Sequence, residues 1–342
     1  MMTPVNASRA GRPLAALPFL ALAAALTLGS AGVLAQALSE ARDQFSRDLQ
    51  VQTVIVETST DSIELVGRQA QGARVEVTRV AFGYTVEAAR RALDRLTVEV
   101  TEAPGTARVA VTRHPSAALE GRPPYAELRV EVPPGVTVEV RTASGVVRVR
   151  EVDAVVRIAT TSGGVNASGG SGRFEIQTAS GGVRVAAFAR GNLDIATGSG
   201  PIEVLGGGPL ELSAASASGL VQVVDVEGSI SVSTAIGGVN IERARNAVLS
   251  VETTRGAVSF SGSLAPDANS LISTTAGSVR VALPRTAAFR LNATSVSGPV
   301  NVTFPMTAAE RSRSSVVGTA GAGGGLLRLS TTSGPVEVVA LD

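Results

Sequence analysis

One column of glycines constrains this chain more than anything else in it. Gly145, Gly163, Gly181, Gly200, Gly219, Gly237, Gly256, Gly277, Gly298 and Gly334 lie 18, 18, 19, 19, 18, 19, 21, 21 and 36 residues apart. The last interval is two periods long. Aligned on that glycine, the residue two places on is a β-branched aliphatic in every repeat, from Val147 to Val336. The residue four places on is always apolar, and the one between is always polar, from Arg148 to Glu337. This period-two alternation describes a strand with one buried face. The segment before the glycine repeats the logic, with an aliphatic five places back, from Val140 to Leu329. Three places back stands a hydroxyl: Thr142, Thr160, Thr178, Thr197, Thr234, Thr253, Thr274 and Thr331, with Ser216 and Ser295.

Each repeat therefore reads as strand, tight bend, strand, the glycine being expected for a backbone conformation it adopts cheaply. One repeat cannot fold alone. About four inward aliphatics contribute roughly 1.5–3 kcal/mol each, whereas ordering 18 residues costs on the order of 1.5 kcal/mol per residue. Stacking reverses the balance, because every strand then pairs above and below and the aliphatic columns fuse into continuous ladders. The fold class predicted is all-β, a β-solenoid of about ten coils and roughly 50 Å, with a flattened or narrow triangular section. A β-propeller needs blades of about 40–50 residues, and the columns hold at less than half that period. The hydroxyls share the inward parity of the aliphatics. They are expected to satisfy backbone groups beside the bend, not to form a ladder for ice or polysaccharide.

Residues 38–135 leave the period and are expected to cap the stack; residues 136–342 carry the repeats. Within the cap section, Gln52 to Val66 reads as one diverged coil, with Asp61 at the bend because aspartate tolerates left-handed backbone. Strands are predicted at Arg74–Phe82, Leu96–Glu102, Ala107–Arg113 and Tyr125–Val132. A short helix is predicted over Thr85–Arg95, with Val86, Ala89, Leu93 and Leu96 on its apolar side. Residues 306–325 read as a mobile Gly-rich loop. The final repeat is expected to form an uncovered end, open to end-to-end association.

Residues 1–37 have the layout of a signal peptide: Arg9 and Arg12, an uncharged stretch from Leu14 to Ala35, then Ala35-Gln36-Ala37 with cleavage after Ala37, Val33-Leu34-Ala35 being the alternative motif. The competing reading is a retained membrane anchor, since 22 apolar residues reach across a bilayer. An extracytoplasmic location follows. All 30 basic residues are arginine against 29 acids, and there is no Cys, no Trp and one His. That composition excludes thiolate catalysis, disulfides, Cys-ligated zinc, a phosphate-loop lysine and a multi-histidine metal site within one chain. A net charge of +1 points away from nucleic acid.

The runs VPPGVTVEVRTASGVVRV (132–149), IATTSGGVNA, IQTASGGVRV and STTSGPVEVV resemble the bacterial putative-adhesin family of unknown function with tandem β-strand repeats. The resemblance spans roughly residues 50–342. It implies an exported solenoid with no established catalytic residues. In that pattern Asp often follows the bend glycine. Here the position holds Val146, Gly164, Gly182, Pro201, Leu220, Gly238, Ala257, Ser278, Pro299 and Pro335, so ion binding through such an Asp is not carried over.

Among surface residues, Glu139, Glu175 and Asp194 share one outward column with Arg157. A Glu175–Asp194 pair on adjacent coils is the one arrangement open to glycoside chemistry, against a solvated face of cross-coil Glu–Arg pairs. Arg148 and Arg184, with Asn166 between them, make a patch that an anionic glycan would fit, or ordinary surface charge. His114 reads as a loop residue. No catalytic, cofactor-binding or metal-binding residue is assigned and no cofactor is expected. The reading is a non-enzymatic adhesin or structural module, its partner a glycan, an envelope component or another protein. The alternatives are a carbohydrate-active β-helical enzyme and a membrane-anchored envelope protein. The sequence specifies no oligomeric state.

Overall fold

The computed structural model describes residues 38–114 and 122–341. The signal segment, its cleavage site and the anchor alternative lie outside the described residues. Among those described, no helix is long and apolar enough to cross a membrane.

The N-terminal section comprises β1 (Ser39–Leu49), β2 (Thr53–Thr58), β3 (Ser62–Gly67), β4 (Ala73–Gly83), α1 (Val86–Asp94), β5 (Leu96–Ala103), β6 (Thr106–Arg113) and β7 (Tyr125–Val132). The repeats begin with β8 (Thr137–Thr142), β9 (Val147–Arg150), β10 (Asp153–Thr160), β11 (Val165–Ser168), β12 (Ser171–Thr178), β13 (Val183–Phe188) and β14 (Arg190–Thr197). Three long strands follow, β15 (Ile202–Ser218), β16 (Val221–Ile236) and β17 (Val239–Arg255), each contributing its two halves to different ladders. The rest are β18 (Val258–Leu264), β19 (Ser270–Ala276), β20 (Val279–Pro284), β21 (Phe289–Ser295), β22 (Val300–Val302), β23 (Thr307–Arg311), β24 (Ser315–Ala320), β25 (Leu326–Ser333) and β26 (Val336–Leu341).

These strands form two parallel ladders. One carries the strands that precede the bend glycine: β2, β8, β10, β12, β14, the second halves of β15 to β17, β19, β25 and β21. The other carries the strands that follow it, from β3 and β9 through β20, β26 and β22. Register is strict. Val147, Val165 and Val183 are direct partners and all buried, as are Val140, Ile158 and Ile176. The predicted aliphatic spine is therefore one continuous core cluster of a flattened solenoid.

At both ends, spatial order departs from chain order. The coil of β2 and β3 lies between β6/β7 and β8/β9. The coil of β25 and β26 lies between β19/β20 and β21/β22. The final repeat is thus not an uncovered end. Residues 306–325 are not one loop: they contain β23 and β24, and β24 pairs antiparallel with β21. At the other end β5 pairs antiparallel with β6, and β4 with β7 and β1. Antiparallel strands thus cover three of the four ladder ends, at β6, β7 and β21, where bare parallel edges would invite another chain.

The helix lies within its predicted span. Thr85 caps it, its hydroxyl accepting from the Ala88 N–H at 3.1 Å. It buries Ala88, Ala89, Ala92 and Leu93, whereas Val86 is exposed. β1 was not expected. Its sequence SEARDQFSRDL carries charge on both faces, so it has little apolar alternation to read.

Candidate functional site

The bend glycines carry the most regular chemistry of the molecule. Left-handed backbone is not the reason for them: of the ten, only Gly334 has φ in that range, at 148°. The cause is contact between coils. A Cβ on Gly163 would lie 2.1 Å from the Gly145 carbonyl oxygen, and one on Gly181 would lie 2.0 Å from that of Gly163. The contact continues up the column to Gly277, which would meet Gly256 at 1.9 Å. It then follows spatial order, Gly334 on Gly277 at 2.1 Å and Gly298 on Gly334 at 2.0 Å.

The hydroxyl column serves this edge. The Gly145, Gly163, Gly181, Gly200 and Gly298 N–H groups donate to Thr142, Thr160, Thr178, Thr197 and Ser295 at 2.8–3.0 Å. In the middle coils the strand runs on through the bend. There the Gly237, Gly256 and Gly277 N–H groups donate to carbonyls of the next coil at 3.0 Å. Thr253, Thr274 and Thr331 instead donate to a neighbouring bend glycine carbonyl, at 3.5, 3.3 and 3.0 Å. Ser216 and Thr234 are buried with their hydroxyls unpartnered.

Asp61 ends the glycine column. It is not one of the six described non-glycine residues with positive φ, so left-handed tolerance does not explain it. Its carbonyl receives Gly145 as each glycine receives the next. Its carboxylate is buried, pairs with Arg113, accepts from the Thr58 hydroxyl, and accepts from the Ala126 N–H at 2.6 Å.

A second column was missed. Six places after the bend glycine, Glu151, Gly169, Ala187, Gly206, Asp225 and Arg243 all have φ between 51° and 70°. The chain there turns back toward the first ladder. Gly alternates with polar residues and alanine, too varied a set to register as a column. Arg243 grips Asp225 on the adjacent coil with two hydrogen bonds of 2.8 and 2.7 Å, which holds the Asp225 carboxyl below the usual aspartate range.

Two of the three outward acids, Glu139 and Glu175, form cross-coil ion pairs with Arg157. Arg157 lies 3.4 Å from both Glu139 and Glu175, and Gln177 donates to Glu175 at 3.3 Å. Asp194 is the register partner of Glu175 and is exposed. Hydrogen bonds from Arg108, then Arg141, hold the Glu57 carboxyl below its ordinary range. Arg148, Asn166 and Arg184 are register neighbours, but Arg184 is paired with Glu203. His114 is exposed, its backbone N–H donating to the Arg95 carbonyl at 3.0 Å. Beside the acids, small outward residues such as Ala159, Ala196 and Ala215 leave an open trough of about 560 Å³. Among the described residues no group of three His, Asp or Glu side chains is placed to hold a metal.

No curated protein matches the chain. Among solved structures, a "putative lipid binding protein" from Parabacteroides distasonis ATCC 8503 is 13% identical over 89% of this chain and 97% of that one, with a TM-score of 0.40. A "putative adhesin" from the same organism is 9% identical over 88% and 97%, with a TM-score of 0.36. A "putative cell adhesion protein" from Clostridium sporogenes ATCC 15579 is 7% identical over 88% and 100%, with a TM-score of 0.19. Likenesses this distant say nothing of ligand or role. The family comparison is of another order: residues 127–339, well over half the chain, match Toastrack DUF4097. With the bend motif, the paired ladders and that match together, the chain belongs to the Toastrack DUF4097 family.

Proposed function

We propose that this protein is an exported, non-catalytic β-solenoid of about ten 18–19-residue coils that acts as an adhesin or structural binding module of the bacterial cell envelope. The observation that carries this reading is where the polar side chains are used. Over the first coils, outward carboxylates of the first ladder are joined by arginines into a chain from Arg108 through Glu57, Arg141, Glu139 and Arg157 to Glu175. Such a face supports a long, rigid presenting surface. Its partner is a glycan, an envelope component or another protein, and it takes no cofactor. The alternative of a carbohydrate-active enzyme rests on Glu175 and Asp194, and the ties of Glu175 to Arg157 and Gln177 weigh against it.

Fractionation of the producing cell with N-terminal sequencing tests the reading. A chain beginning at Leu38 in the periplasm or at the surface is expected. A chain with residues 1–37 intact in the cytoplasm refutes export, and one retained in the membrane establishes the anchored form. Polysaccharide hydrolysis abolished by both Glu175→Gln and Asp194→Asn would establish the enzyme instead.

A further inference from the structure

The chain has ten aromatic residues, eight Phe and two Tyr. Phe174, Phe188, Phe260, Phe289 and Phe304 are buried, and Phe45 packs against the core. Surface aromatic area among the described residues is therefore gathered at one corner, where β4 meets β7. Phe82 and Tyr125 are half-buried and stacked on each other, with ring centroids 6.4 Å apart and planes at 29°, and the Arg122 guanidinium lies over the Phe82 ring, 6.0 Å from its centroid. Tyr84 follows, 57% exposed.

Register places a polar rim beside these rings. Val80 is the partner of Tyr125, and one side-chain step along the same face come Gln44, Thr78 and Glu127, paired across β1, β4 and β7. These three line a groove of about 330 Å³ that continues past Glu64 and Arg129. Glu64, Glu76 and Arg129 are joined in ion pairs. Among the described residues, Gln44, Thr78 and Glu127 engage no side-chain partner.

We propose that this corner is a saccharide-binding subsite. Tyr125, backed by Phe82, stacks against the apolar face of a sugar ring, and Thr78 and Glu127, with Gln44 beyond them, bond hydroxyls of that ring and of its neighbour in the chain. An aromatic platform with a few convergent polar groups is the general form of a small-ligand site. A polyol suits this rim because Gln44 and Thr78 both donate and accept and Glu127 accepts. The apolar strip is only two rings wide, too short for an acyl chain. This deepens the binding-module reading above and rests on it.

The chain supplies its own probe: it has no Trp, and its two tyrosines, Tyr84 and Tyr125, both lie at this corner. Tyrosine emission of the protein beginning at Leu38 is titrated with hexasaccharides of glucose, N-acetylglucosamine, galactose and galacturonic acid. At least one is expected to change the emission saturably. Phe82→Ala is expected to weaken that binding at least tenfold. Because Phe82 is half-buried, Gln44→Ala with Glu127→Gln, both at exposed positions, provides a second variant. It is expected to weaken binding at least threefold with an unchanged far-ultraviolet circular dichroism spectrum. Arg280→Ala, at an exposed position of β20 paired with Glu337, serves as the control and is expected to bind normally. The proposal is overturned if none of the four sugars alters the emission, or if one binds the rim variant as tightly as the parent chain. An exported chain that ignores all four sugars refutes this subsite and leaves the envelope-module reading standing.

Discussion

The two edges of the solenoid turn the chain by different means. At the glycine edge the backbone is mostly unexceptional in φ and the space is not: a Cβ would strike the next coil's carbonyl at 1.9–2.3 Å along the column from Gly145 to Gly298. At the opposite edge the reverse holds. Gly206 has φ 70°, yet a Cβ there would meet nothing closer than 4.0 Å. Steric exclusion between coils is severe, so all ten repeats from Gly145 to Gly334 keep glycine at the first edge and only Asp61, at the end of the column, carries a side chain there. Left-handed backbone costs a non-glycine residue only about 1–2 kcal/mol, so Glu151, Ala187, Asp225 and Arg243 are tolerated at the second.

The contrast can be broken by substitution. Gly181→Ala must push two coils apart and is expected to destabilise by about 3 kcal/mol or more; Gly206→Ala, the matched change at the other edge, is expected to cost about 1 kcal/mol. Denaturant unfolding of both variants measures the difference, and equal losses would refute the steric account. Thr178→Val keeps the volume but strands the buried Gly181 N–H, for an expected loss of about 1–2 kcal/mol. A neutral result would mean that the hydroxyl column does not hold the bend. In the other direction, Ala187→Gly relieves left-handed strain at φ 53°. After the greater chain entropy of glycine when unfolded is subtracted, it should raise stability by up to about 1 kcal/mol. Thermal unfolding would show an upward shift in Tm.

The smallest effect belongs to the Asp225–Arg243 pair that spans two left-handed positions. The Arg243 hydrogen bonds lower the Asp225 pKa in the folded state. The pair's contribution is therefore complete above the unfolded-state value and is lost as pH falls through the folded-state one. Arg243→Ala should return the Asp225 titration, followed by carboxyl carbon NMR, to the ordinary aspartate range, with little change in stability at neutral pH because both groups are exposed. An unmoved titration would mean that the pair does not form in solution.

Much of this was legible before any coordinates. The alternation around Gly145 to Gly334 placed the buried valines in register, because a two-residue period has only one way to face a core. The cap strands at β4 to β7 and the helix were readable from apolar spacing. The strand β1 was not, since an edge strand bearing Arg and Asp on its core-facing side leaves no pattern. Asp61 was located correctly at a bend but for the wrong reason. Its role depends on Arg113 and Ala126, 52 and 65 residues away. The corner of Phe82 and Tyr125 was equally hidden, because residues 43 positions apart in sequence meet only through the antiparallel pairing of β4 with β7.

From its sequence alone this chain determined a stacked, two-faced β architecture, its repeat length and the residues that share each column. Only the tertiary structure decided which coil lies on which. Every coil presents the same ladder of hydrogen bonds and the same aliphatic columns, so any coil is a chemically acceptable neighbour for any other. At the ends, antiparallel strands take three of the four outer edges, and the first and last repeats have an interior place. That choice is made by the competition for edges across the whole molecule, and no local run of residues records it.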